Sequence, residues 1–207
     1  MKKYSYLIIA FATLFFWQKA ITQGNWAIGI HMGENFTKLT GDADSEYRLG
    51  FTAGAHASHY LMENLVLRLE VNYERKGAER VLPSDPFAAD VPTEIRLDYL
   101  TLPVLLRYST SGKTRWTAGG GVAVSYLMNE MTLTEDIVFE QIDDFNRVDA
   151  DLVFCGGFGY PVGKKMMVGF ELRSIFGLVN VERNRGTAMQ LGRNVAWGAL
   201  VGLNYYL

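Results

Sequence analysis

Eight segments of the chain alternate apolar and polar residues with a period of two, and the gaps between them run alternately long and short. The segments lie near 25–32, 50–60, 64–76, 95–108, 114–128, 149–160, 165–176 and 195–207. Such alternation marks a strand that presents one face to an apolar environment. The short gaps are Leu61-Met62-Glu63, Ser109 to Lys113 and Pro161 to Lys164. The long ones fall near 33–49, 77–94, 129–148 and 177–194, each about 17 to 20 residues. An even strand number, tight turns at one end and long loops at the other predict an all-β, eight-stranded antiparallel up-and-down transmembrane β-barrel. A soluble sandwich has no reason to sort its loops by length.

The strand faces point the same way. From Leu65 to Tyr73 the odd positions are Leu65, Leu67, Leu69, Val71 and Tyr73, whereas Arg68, Glu70, Asn72 and Glu74 occupy the even ones. Val195, Trp197, Ala199, Val201, Leu203 and Tyr205 share a face opposite Ala196, Gly198, Gly202 and Asn204. Met166, Val168, Phe170 and Leu172 likewise oppose Gly169, Glu171 and Arg173. Glycine beside isolated charges makes a poor soluble surface but suits a crowded interior behind a lipid-facing wall. The lumen is therefore predicted to hold ion pairs among Arg68, Glu70, Glu74, Arg107, Glu171 and Arg173, with Asn72 and Asn204. A soluble lipocalin-like barrel would need every face inverted.

Residues 1–23 read as a secretory signal: Lys2 and Lys3, an 11-residue apolar run from Leu7 to Trp17, then a polar stretch ending near Gln23. The run is too short for a spanning helix, which needs about 20 residues. The domain plan is thus a signal peptide at 1–23 and a barrel domain at 24–207. Cleavage would remove three lysines and no acids, leaving 17 basic and 22 acidic residues and a net charge of −5.

Composition closes off other classes. Hydrophobic residues at 49% and charged residues at 20% exclude disorder. Cys155 has no partner for an intrachain disulfide. A net charge of −2 offers no basic surplus for phosphates, so no nucleic-acid partner is expected. Aromatic residues, at 13%, collect at strand ends. Trp26, Tyr60, Tyr108, Trp116, Tyr160 and Tyr205 would ring the periplasmic interface, and Tyr73, Tyr99, Tyr126, Phe176 and Trp197 the outer one.

The strand end Tyr73-Glu74-Arg75-Lys76-Gly77, the run Tyr99-Leu100-Thr101-Leu102-Pro103-Val104-Leu105-Leu106-Arg107-Tyr108, and the glycine-rich strands Thr117 to Val122 and Gly156 to Gly159 resemble the PorT-like outer-membrane β-barrel family. That family is related in architecture to the OmpA transmembrane domain. The resemblance covers the whole mature chain. It implies the bacterial outer membrane as address after signal-peptide export, and the lipid bilayer and outer-membrane assembly machinery as partners. It also implies an accessory role beside envelope or secretion proteins. The chain ends Asn204-Tyr205-Tyr206-Leu207, departing from the terminal aromatic of many such barrels.

Chemistry-bearing motifs are few. His56 and His59, three apart on a strand, point to opposite faces and share no metal. Gly119-Gly120-Gly121 and Gly156-Gly157-Phe158-Gly159 lack the Lys-Ser or Lys-Thr of a phosphate loop, so they read as wall-lining glycines. Glu130, Glu135, Asp136, Glu140, Asp143 and Asp144 with Arg147 read as a solvated loop, with calcium or a basic partner as the competing occupant. Cys155 reads as a small apolar residue. No catalytic residue, metal ligand or cofactor site is predicted, and the chain is expected not to be an enzyme. The expected function is a structural or accessory role at the cell surface, assisting secretion or surface assembly. A small-solute or ligand-binding transport barrel is the alternative; a membrane-embedded enzyme ranks below it.

Overall fold

The computed structural model describes residues 25–41, 45–81, 93–134, 137–139, 145–181 and 191–207. The predicted signal segment, 1–23, lies outside them. The strands are β1 (Trp26–Gly41), β2 (Arg48–Tyr60), β3 (Leu65–Val81), β4 (Thr93–Ser109), β5 (Arg115–Thr134), β6 (Ile137–Phe139), β7 (Val148–Pro161), β8 (Met166–Gly177) and β9 (Leu191–Tyr206). Eight of them form one closed antiparallel sheet in the order β4-β3-β2-β1-β9-β8-β7-β5, with β4 paired back to β5. Closure leaves no unpaired edge, which hydrocarbon would not tolerate. β6 is a short addition that pairs only with the top of β5, at Thr132, Leu133 and Thr134.

Tight turns join β2 to β3, β4 to β5 and β7 to β8 at one end. Leu61 N–H donates to Leu65 O at 2.9 Å and Val162 N–H to Met166 O at 2.8 Å. Gly112 and Gly163 sit in two of these turns at φ 129° and 88°, which L side chains rarely adopt. Both chain ends of the barrel close at this level too, with Leu207 N–H donating to Trp26 O at 3.1 Å.

The far ends of the strands run further than the alternation predicts. β1 continues through residues 33–41, read from sequence as loop. Its inward row there is Gly33, Asn35 and Thr37, and its outward row includes Glu34 and Lys38, so polar residues on both faces hide the period. β3, β5 and β9 are extended for the same reason. The connections left after β1, β3 and β8 span 6, 11 and 13 residues. β3, with 17 residues, measures roughly 56 Å at about 3.3 Å per residue. An apolar band about 25 Å tall cannot cover it even when tilted, so the strand ends stand clear of the bilayer.

Burial is inverted relative to a soluble protein. Among the described residues, more polar and charged side chains than apolar ones are buried, and Ile30, Met32, Val71, Val122 and Leu172 are more than half exposed. An apolar belt of this extent is stable against lipid and not against water. No helix of the described residues is long and apolar enough to cross a membrane. The crossing is made by strands.

One irregularity sets what the upper lumen contains. Asp98 pairs with Asn129 and Tyr99 with Leu127, leaving Met128 as an extra residue in β5. Parity flips across this bulge, so Leu127 and Glu130 both face inward.

Candidate functional site

The lumen is built in layers by inward rows of every barrel strand. The lower ionic layer joins opposite walls. Arg173 on β8 donates to both oxygens of Glu70 on β3, at 2.8 and 3.1 Å, and to Glu171 Oε1 at 3.1 and 2.5 Å. Arg107 on β4 approaches the other oxygen of Glu171 at 2.6 Å and donates to Thr117 Oγ1 at 3.0 Å. Such bidentate, charge-assisted contacts fix two planar groups in both distance and angle.

Arg68 is held differently. Its close acceptors are neutral, Ser58 Oγ at 3.1 Å and Asn204 Oδ1 at 3.2 Å. Glu171 and Glu70 come no nearer to it than 3.8 and 3.9 Å. Since Asn204 Oδ1 must accept from Arg68, the contact of His56 Nε2 to that oxygen at 2.8 Å places the ring proton on Nε2. His56 Nδ1 then accepts from His31 Nδ1 at 3.2 Å, which satisfies His56 as a neutral imidazole, while His31 Nε2 has no hydrogen-bond partner and lies 3.8 Å from Glu70 Oε2.

Above this layer Leu105, Ala123, Val153, Cys155, Ile175 and Ala196 form an apolar patch. A second ionic group follows. Lys76 Nζ lies 3.1 Å from Asp151 Oδ2 and 3.2 Å from Glu74 Oε2. Ser125 Oγ donates to Asp151 at 2.9 Å, and Thr101 Oγ1 to Glu74 at 3.2 Å. Lys76 also sits over the Tyr99 ring, 5.3 Å from its centroid. Leu39, Ala78, Ile95, Leu97, Tyr99, Leu127, Phe145 and Val181 cap the lumen. Lys76, Asn72, Asp151, Ser125 and Leu97, from four strands, have 0% exposure, which a continuous water channel at this height would not leave them.

The predicted lumenal residues all face inward, but the structure divides them. Arg68, Glu70, Arg107, Glu171 and Arg173 meet in the lower layer, while Glu74 joins Lys76 and Asp151 above. Asn72 donates to Glu70 Oε2 at 3.0 Å. Sequence reasoning passed over Lys76, His31, Asp149 and Asp151. Lys76 continues the even row that already held Arg68 to Glu74, so the signal was there.

Most predicted interface aromatics lie on the outer wall: Trp26, Tyr108, Trp116, Tyr160 and Tyr205 toward the turn end, and Tyr73, Tyr126, Phe176 and Trp197 toward the other. Two are corrected. Tyr60 faces the lumen mouth, where its hydroxyl donates to Tyr206 OH at 3.3 Å. Tyr99 faces inward at 1% exposure, over Lys76. His56 and His59 do point to opposite faces, His59 lying against Trp26 at a ring separation of 4.6 Å. Glu130 is not a loop acid: it is buried in β5, where Thr132 donates to it. Glu135, Asp136, Glu140, Asp143 and Asp144 lie outside the described residues. No group of three or more His, Cys, Asp or Glu side chains is placed to hold a metal among the described residues.

At the turn end a cavity of about 60 Å³ enters the lower layer, and a wider vestibule of about 480 Å³ lies outside it. Tyr60 and Ser109 border both.

The fold has solved counterparts. Neisserial surface protein A superimposes with a TM-score of 0.57 at 12% identity, covering 88% of this chain and 97% of that one. The outer membrane protein OprG from Pseudomonas aeruginosa gives 0.57 at 11% identity, covering 89% and 97%. At these identities the likeness is one of architecture. No curated protein sequence matches the chain. The family model described as "Outer membrane protein beta-barrel domain" matches residues 16–183. The closed eight-stranded wall, apolar outside and ionic inside, accords with that match, and the chain belongs to this family of outer-membrane β-barrel domains.

Proposed function

We propose that the protein is a non-catalytic accessory barrel of the PorT-like type, acting in secretion or surface assembly through its projecting strand ends and periplasmic turns. The observation that carries this reading is the filled lumen. The Lys76, Glu74 and Asp151 group and the apolar cap above it occupy the bore where a solute would have to pass. Eight strands leave room for side chains and little else. What remains available to partners is the rim, and strands that outrun the bilayer enlarge that rim. Export by a signal peptide and insertion by the assembly machinery belong to the same reading.

The test compares a deletion strain with strains restored by the wild-type chain or by a chain with β3–β4 loop residues 82–92 replaced by a Gly-Ser linker. Loss of a defined set of surface or secreted proteins, restored only by the wild type, is the expected outcome. Steady unitary conductance of the purified barrel in planar bilayers would instead favour a transport role.

A further inference from the structure

We infer that the periplasmic half of the lumen is a binding site for one small oxyanion, of the phosphate or short-carboxylate class, seated against Arg68. The proposal goes beyond the accessory role and does not depend on it.

Charge and geometry carry it together. Three guanidiniums, Arg68, Arg107 and Arg173, share two carboxylates, Glu70 and Glu171; His56 is held as a neutral ring, and His31, the other imidazole here, could only add positive charge. At least one positive charge is therefore left over in the lower layer. The contacts identify it: Arg173 and Arg107 bind carboxylate oxygens at 3.1 Å or less, whereas the acceptors nearest Arg68 are neutral, at 3.1 and 3.2 Å, and its carboxylates lie at 3.8 and 3.9 Å. A buried cation whose neighbouring carboxylates are held more tightly by other guanidiniums is poorly compensated, and an anion beside it is correspondingly favoured. Arg107 Nε adds a second open donor, a buried N–H with no acceptor in the protein.

The cavity lies against these groups; Arg68, Arg107, His56 and Asn204 all line it. Its volume of about 60 Å³ admits an anion of a few heavy atoms and excludes a nucleotide or sugar. Access is from the periplasmic end, through the vestibule bordered by Tyr60 and Ser109. The vestibule carries Arg115, whose Nη1 donates to Tyr206 OH at 3.3 Å, and Glu63 on the adjoining turn. An oxyanion passing Arg115 would find the surplus guanidinium behind it. A lipid headgroup has no route into the lumen, so the source is free anion.

The test measures the thermal unfolding midpoint of the purified barrel in detergent against inorganic phosphate and, separately, acetate. Ionic strength is held constant with a bulky organic sulfonate. Binding to the folded state alone raises the midpoint in a saturable way. The expected result is such a rise for the wild type, with apparent affinity reduced at least tenfold in Arg68→Gln. Gly169→Ala serves as the second variant. Its methyl would enter the cavity wall with Phe158 O at 3.6 Å and Asn204 Nδ2 at 3.9 Å, ordinary contacts that leave every charge in place. A several-fold loss is expected there, and this variant decides the matter if Arg68→Gln fails to fold. Absence of a saturable rise in the wild type, or an undiminished response in the folded variants, overturns the proposal.

Discussion

Glu70 stands between Arg173, which grips both its oxygens, and the surplus charge of Arg68, so its removal takes away Arg173's bidentate partner and deepens the local excess of positive charge. Breaking one side of a buried ion pair costs about 3–5 kcal/mol, because the other charge stays in a medium that solvates it poorly. Glu70→Gln is expected to lower the urea midpoint of the refolded barrel accordingly. Glu171→Gln, which strips carboxylate contacts from both Arg107 and Arg173, should do the same. Lys76→Met is the mirror case: Glu74 and Asp151 would face each other without their shared cation, and a loss of about 3–5 kcal/mol is again expected. Much of this cluster was legible, since Arg68, Glu70, Glu171 and Arg173 each oppose a row of large apolar side chains. Tyr99 was legible in principle as well, because it shares the odd row of Arg107. Tyr60 was not. In β2 the outward Ala53, Ala55 and Ala57 oppose Gly54, His56 and Ser58, and with no large apolar row neither parity is marked.

Strand extent is decided by the outer ends, where sequence says least. Residues 33–41 of β1 were hidden by polar residues on both faces, and the pairing that makes them a strand comes from β2 and β9. The ladder is a property of neighbours, not of local composition. Met128 in β5 makes the same point within one strand, for it has no partner in β4 and the strand's alternation shifts across it. Deleting Met128 would remove the unpaired residue and leave Asn129 opposite Asp98 and Glu130 opposite Leu97, still on the inner wall. The expected result is slow amide exchange at Thr132 to Thr134 as well as in the lower half of β5, whereas insertion of a second residue beside Met128 should expose the upper stretch alone. Hydrogen exchange read by mass spectrometry resolves the two regions. Substitutions at Glu135, Asp136 and Glu140 are expected to leave the barrel folded.

Across the whole molecule, the inverted burial predicts behaviour that no soluble barrel shares. The chain should partition with the outer membrane and migrate on gels at a mobility that heating changes, since the closed sheet resists detergent until it is boiled. Cys155 faces the lumen at 8% exposure beside Val153 and Ile175. It should react with a maleimide only after the heated form appears, and its labelling should track the mobility shift band for band. Recovery as a soluble periplasmic protein with a reactive Cys155 would contradict the face assignment.

The seam between β1 and β9 runs from Ala27 opposite Tyr206 to Gly41 opposite Leu191. It joins the first of the described strands to the last. A product that stops short of β9 cannot satisfy this edge of β1 within the sheet, so the wall closes only after β9 has emerged. Until the final strand arrives the polypeptide has to be kept from pairing with other copies of itself, and its lifetime in transit is set by whatever shields that first strand.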